Sequence, residues 1–136
     1  MLKMYLCKKY ILNVKAKKHL GQHFLTDQNI ARNIVDGLSL TGYNQVLEVG
    51  PGMGVLTQYL LQKPTETFVA EIDQESIDYL KIHYPKLEDK HFVGDFLKTD
   101  IQTLFDDQVS VIGNFPYNIS SQILFKIVDN YQHIPE

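Results

Sequence analysis

The chain has 136 residues, 44% of them hydrophobic, with a formal charge of −3 and one cysteine. That length buries one core and not two. The lone Cys7 excludes an internal disulfide and no Cys/His spacing fits a zinc cluster, while no apolar run approaches the ~20 residues of a membrane helix, so the reading is a cytoplasmic protein without membrane or metal.

Charge is uneven along the chain. Residues 1–20 hold six of the 13 basic residues and no acidic one, which leaves seven basic against 16 acidic, a formal −9, over residues 21–136. A basic arm on an acidic body can meet phosphates or can be a solvated terminus; a wholly basic nucleic-acid surface is absent. Residues 1–14 mix Leu, Tyr and Ile with Lys3, Lys8 and Lys9, which breaks up any signal-peptide core, and they read as a disordered extension.

In chain order, Asp27 to Leu40 is predicted as a helix capped by Thr26 or Asp27, with Ile30, Ile34, Val35 and Leu38 on its inner face. Strands are predicted at about 45–50, 66–72, 90–94 and 108–113, separated by helices near 54–63 and 74–83. A last helix spans about 119–131, with Ile119, Ile123, Leu124, Ile127 and Val128 toward the sheet. Strand and helix patterns that alternate in this way give one α/β unit with a parallel sheet.

The ends of these strands carry the informative residues. The first opens into Gly50-Pro51-Gly52-Met53-Gly54, where glycine lets backbone approach a ligand that a Cβ would push away. The spacing is G-x-G-x-G, and position 55, where a dinucleotide fingerprint wants its third Gly, is Val, so a nicotinamide cofactor is disfavoured. Glu71, about 20 positions on, is placed to accept from ribose hydroxyls, while Asp73 suits a helix cap. Asp95 is placed to accept from an adenine amino group, with Phe96 covering the ring, although alone it reads as a turn residue. The fourth strand runs into Asn114-Phe115-Pro116-Tyr117. An amide, a backbone carbonyl and a ring around one small volume suit a flat base with an exocyclic amine, whose lone pair two acceptors can aim at a methyl donor.

Lys18 to Asp27, Glu48 to Gly54, Glu71-Ile72-Asp73, Gly94-Asp95-Phe96 and Asn114 to Ser120 stand in the order found in ribosomal RNA adenine N6,N6-dimethyltransferases. From residue 15 to about 134 the chain resembles that family, most closely its bacterial small-subunit branch. The resemblance implies a Rossmann-like S-adenosylmethionine-dependent methyltransferase fold, a parallel sheet with helices on both faces. It implies that His23 and Leu25 close over S-adenosylmethionine, that Gly50 and Gly52 line its methionine portion, Glu71 with Ile72 its ribose, and Asp95 with Phe96 its adenine. Asn114 serves both cofactor and target amine, the Phe115 carbonyl grips that amine, Pro116 shapes the turn, and Tyr117 stacks on the base. Two positions depart from the family pattern: Phe115 stands where Leu is commonest, and His23 where Asn is frequent.

The family implies dimethylation of adenines in the RNA of the small ribosomal subunit during ribosome maturation. A methyltransferase acting on another amine, in DNA or a protein glutamine, and a non-catalytic RNA-binding fragment are the alternatives. Residues 15–136 then form the N-terminal part of the catalytic domain, truncated after the fourth strand and its helix, without the later strands and helical domain. The full-length form is expected to be a monomer. In the truncated chain the strand ending at Gly113 is expected to expose a hydrogen-bonding edge near Val109 to Ile112 and to self-associate through it.

Overall fold

A computed structural model describes residues 27–115 and 117–136, the Tyr117 side chain excepted. The basic arm, His23, Leu25 and Pro116 lie outside the described residues. Three strands, β1 (Gln45–Val49), β2 (Glu66–Ala70) and β3 (Val109–Gly113), form a parallel sheet in the order β2-β1-β3. β1 is central, and Val46, Leu47, Glu48 and Val49 are all buried on it. A parallel strand covered on both faces reads as such a continuous run.

Helices cover both faces. On one, α1 (Gln28–Asp36) and α2 (Thr57–Leu60) bring Ala31, Val35 and Leu60 against Val46 and Ile112. On the same face α3 (Gln74–His83) sets Leu80 against Val69. On the other, α4 (Ile101–Leu104) and α5 (Ser120–Asp129) bring Ile101, Ile123 and Ile127 to Leu47, Phe68, Phe105 and Val109. None of the described helices is long and apolar enough to cross a membrane.

Asp27 caps α1, accepting from the N–H of Asn29 at 2.9 Å and of Ile30 at 3.2 Å, donors that a first turn leaves without helical partners. The helix ends at Asp36, short of the predicted Leu40. Its inner face is turned as well: Ala31 is buried, whereas Ile30 is 41% exposed. On α5, Ile123 and Ile127 face the core as predicted, while Val128 is 55% exposed. α2 is shorter than its predicted span of 54–63 because Gly50, Gly52 and Gly54 all hold positive φ (67°, 53° and 84°) and keep the chain out of helical geometry until it has passed the turn. Asp100 caps α4, which the hydrophobic pattern did not announce.

The predicted third strand at 90–94 is corrected to a single bridge, Val69 with Phe92. His91 lies in a 3₁₀ turn (Asp89–His91), with its Nδ1 accepting from the Glu88 N–H at 2.8 Å, and Gly94 has φ +76°. Between these two only Phe92 and Val93 are extended, too few for a ladder, yet the Val93 N–H still donates to the Val69 carbonyl at 3.0 Å. The segment therefore occupies the outer edge of β2 and delivers Asp95 beside it. The expected open edge on β3 is corrected too. The Val109 N–H donates to the His133 carbonyl and the Val111 N–H to the Glu136 carbonyl, each at 2.9 Å. Two of the outward-facing donors of β3 are therefore covered by residues 133–136.

One charged residue sits inside this core. Glu48 is 1% exposed, and Thr57 Oγ1, itself fully buried, donates to its Oε2 at 2.6 Å. Burial pushes its carboxyl up to about 8, with Glu71 adding to the rise and the Thr57 hydroxyl opposing it. A raised carboxyl holds a proton in the folded chain that the unfolded chain has released, so stability falls as pH rises from about 4.5 to about 8 and is level beyond. Glu48→Gln keeps a partner for Thr57 and removes the titration. Urea melts of both chains across pH 4 to 9 should show the original losing of order 1 kcal/mol per pH unit relative to the variant within that window. Parallel stability curves would show that Glu48 does not titrate there.

Candidate active site

Register places the site. Val49 pairs with Ala70 on one side and with Gly113 on the other, so the next residues, Gly50, Glu71 and Asn114, share the carboxyl edge of the sheet. Ligands of open α/β sheets bind outside this edge. Gly113 is what lets β3 arrive there: a Cβ would stand 2.3 Å from the Val49 carbonyl and 2.6 Å from the Phe115 ring.

Glu71 ties the glycine turn to the end of β2. Its Oε2 accepts from the Gly52 N–H at 3.1 Å, and its Oε1 from the N–H groups of Ile72 at 2.9 Å and Asp73 at 3.0 Å. A carboxylate offers about four acceptor positions. Three are taken here, so a ribose placing both hydroxyls on Glu71 must displace or share a backbone donor. Ile72 is 61% exposed beside it. Asp73 is 7% exposed and caps α3, accepting from the Ser76 N–H at 3.1 Å and hydroxyl at 2.9 Å.

Asp95 sits one strand further out. Its Oδ1 accepts from the Leu97 N–H at 2.9 Å, and its carbonyl from the N–H groups of Lys98 and Thr99 at 3.1 Å and the Thr99 hydroxyl at 2.7 Å. The carboxylate is therefore aimed by its own turn. Phe96 is 4% exposed, with its ring packed in the core among Phe68, Ile101 and Ile123. It anchors the turn from below. Asn114 is half-buried and Phe115 leans on the same core. Pro116, the Tyr117 ring, His23 and Leu25 lie outside the described residues, and the Tyr117 backbone begins a 3₁₀ turn (Tyr117–Ile119) that leads into α5.

Three neighbours of this edge were given no role by the sequence reading. Glu48 is hidden within an apolar run, and only its type among Val46, Leu47 and Val49 marks it. Tyr84 packs on Gly54 so closely that a Cβ there would lie 2.4 Å from its ring, and no spacing rule links the two positions. Lys126, on α5, reaches the carbonyls of Leu97 and Thr99.

The model of the ribosomal RNA adenine dimethylase family matches residues 13–135. The chain is 60% identical over 124 residues to ribosomal RNA small subunit methyltransferase A of Flavobacterium johnsoniae and 61% identical over 125 residues to the protein of that name from Cytophaga hutchinsonii; each match covers 90% of this chain and 48% of the relative. It thus spans about half the length of the curated relatives it matches. Among solved structures it is similar to the 23S rRNA methyltransferase ErmE, with a TM-score of 0.61 at 30% identity over 76% of this chain and 41% of that one. The matched region contains every strand, the glycine turn and the Asn-Phe-Pro-Tyr segment: the chain belongs to the ribosomal RNA adenine dimethylase family.

Proposed function

We propose that this chain is the cofactor-binding part of an enzyme that transfers methyl groups from S-adenosylmethionine to the N6 amine of adenines in small-subunit ribosomal RNA, in the cytoplasm where subunits mature. The observation that carries the reading is the row of Gly50, Glu71 and Asn114 along one sheet edge, fixed by the pairing of Val49 with Ala70 and Gly113. The printed substrate of the relatives at about 60% identity favours the small subunit over the 23S RNA named for the 30% identical structure.

The residues present fit such a cofactor. Gly50 and Gly52 hold left-handed backbone in a turn that Glu71 ties to the end of β2, which suits the amino-acid end of the cofactor. Glu71 and Asp95, at the ends of the two segments beyond β1, offer carboxylates for ribose and adenine in turn. S-adenosylmethionine, when bound, supplies an electrophilic methyl group. The chain's own work is alignment. The Asn114 side-chain carbonyl and the Phe115 backbone carbonyl accept from the target amine, favour a pyramidal nitrogen and point its lone pair along the line of attack. After transfer the nitrogen sheds a proton readily to solvent, so no dedicated base is needed. Tyr117 would hold the single-stranded or flipped base by its ring face, worth about 1 to 3 kcal/mol.

Glu71→Ala should weaken binding of S-adenosylhomocysteine by about 1.5 to 3 kcal/mol, the contribution of hydrogen bonds to a charged acceptor. Calorimetry giving equal affinity would remove Glu71 from the ribose role. In a chain extended to the length of its relatives, Asn114→Ala should reduce methyl transfer to unmethylated small subunits far more than it reduces cofactor affinity. The opposite ordering would make Asn114 a cofactor ligand and not an aligner. For Tyr117, the Phe variant should keep most turnover and the Ala variant lose it; equal damage in single-turnover assays would defeat the stacking account.

A further inference from the structure

Lys126 belongs to α5, yet its ammonium is engaged at the far side of the cleft. Its Nζ donates to the Leu97 carbonyl at 3.2 Å and to the Thr99 carbonyl, and stands 5.3 Å from the centre of the Phe96 ring. Asp100, the cap of α4, and Asp95 act on it electrostatically. Burial draws the ammonium below the usual lysine range, with Asp100 and Asp95 opposing, so this contact is held at a desolvation cost that a surface lysine avoids. A lysine that served only solubility would leave its head in water.

Two carbonyls and a ring face leave the 95–99 turn little freedom. Within it the Asp95 carboxylate is oriented by the Leu97 N–H, and the Leu97 carbonyl that Lys126 binds lies across the same Cα, so a tie on that carbonyl restrains the residue whose N–H aims Asp95. We propose that Lys126 is a positioning residue for the adenine end of the cofactor: by tying the Leu97 and Thr99 carbonyls to α5 it fixes the direction in which Asp95 accepts. This rests on the reading of Asp95 given above. It has a structural corollary, because α5 follows Asn114-Phe115-Pro116-Tyr117 through a single 3₁₀ turn. One helix thereby spans the residues that would align the target amine and the turn that would receive the cofactor's base.

The test uses the 136-residue chain with Lys126→Met, which keeps an apolar stem of similar length, and Lys126→Arg. Two ligands are compared by calorimetry, S-adenosylhomocysteine and its hypoxanthine counterpart, whose ring carries an oxygen where adenine carries the amino donor. The Met variant should lose about tenfold in affinity for the adenine ligand, as release of one charge-assisted hydrogen bond would give. It should lose less for the hypoxanthine ligand, so that discrimination between the two shrinks, and Arg should restore most of it. Amide exchange of Lys98 and Thr99 should quicken in the ligand-free Met variant while β1 stays protected. Unchanged discrimination, whether from equal affinities or from parallel losses, would overturn the proposal, as would unaltered exchange in the turn. Failure of the unsubstituted chain to bind either ligand would instead strike the cofactor reading and take this inference with it, and the two failures are told apart by that control alone.

Discussion

The Glu71 carboxylate is the tie on which the carboxyl edge depends. It accepts from a residue in the glycine turn and from two residues after β2, so two strand ends that would otherwise be independent loops become one surface. These N–H groups are part-buried or exposed, so the tie acts by fixing the geometry of the two strand ends and not by rescuing buried donors. The arrangement also explains why the turn can be rich in glycine without being loose: the Gly50 N–H is held by the Ala70 carbonyl, the Gly52 N–H by Glu71, and Gly54 is packed under the Tyr84 ring.

The four glycines nearest the site do different things, and only physical contact separates them. Gly50 and Gly52 supply left-handed backbone where the chain leaves β1. Gly54 combines φ +84° with the Tyr84 ring lying where its Cβ would be, so it is a packing glycine that seats the start of the α2 turn on the segment after α3. Gly113 is not left-handed at all; its missing side chain admits the Val49 carbonyl and the Phe115 ring. Reading all of them as ligand-approach glycines would credit the cofactor with constraints that belong to the fold.

How far the sequence alone reached follows the same line. β1, β2 and β3, the caps Asp27 and Asp73 and the inner face of α5 around Ile123 and Ile127 were legible because each is a local pattern: an apolar run, an acidic residue before a helix, a spacing of four. The segment at 90–94 was not, because the apolar pair Phe92-Val93 carries the same signal in a two-residue bridge as in a strand, and the His91 ring bond to Glu88 that ends it leaves no mark in the pattern. An aromatic after an acidic strand end invites a place beside the adenine for Phe96, and the burial of its ring is decided by Ile101 and Ile123 from two later helices. Lys126 and the closing of β3 by His133 and Glu136 are tertiary facts. The two ends of each contact lie more than 20 residues apart, and no single-sequence rule joins them.

The electrostatics of the edge argue for the kind of ligand it would take. A dinucleotide turn works because its glycines deliver a pyrophosphate to the N-terminus of a full helix, where aligned peptide dipoles and free N–H groups favour an anion. Here α2 has four residues, too short to sum a useful dipole, and it opens on Leu56 without a side-chain cap. The Gly52 N–H that could have met a phosphate is spent on Glu71. At the same turn stands Glu71, which also helps to raise the buried Glu48 carboxyl beneath it. A second negative group entering this field would be repelled, and a positive one would be attracted to it. S-adenosylmethionine carries a sulfonium, an ammonium and one carboxylate and presents no phosphate, so it brings a net positive charge to this field where a dinucleotide would bring a pyrophosphate.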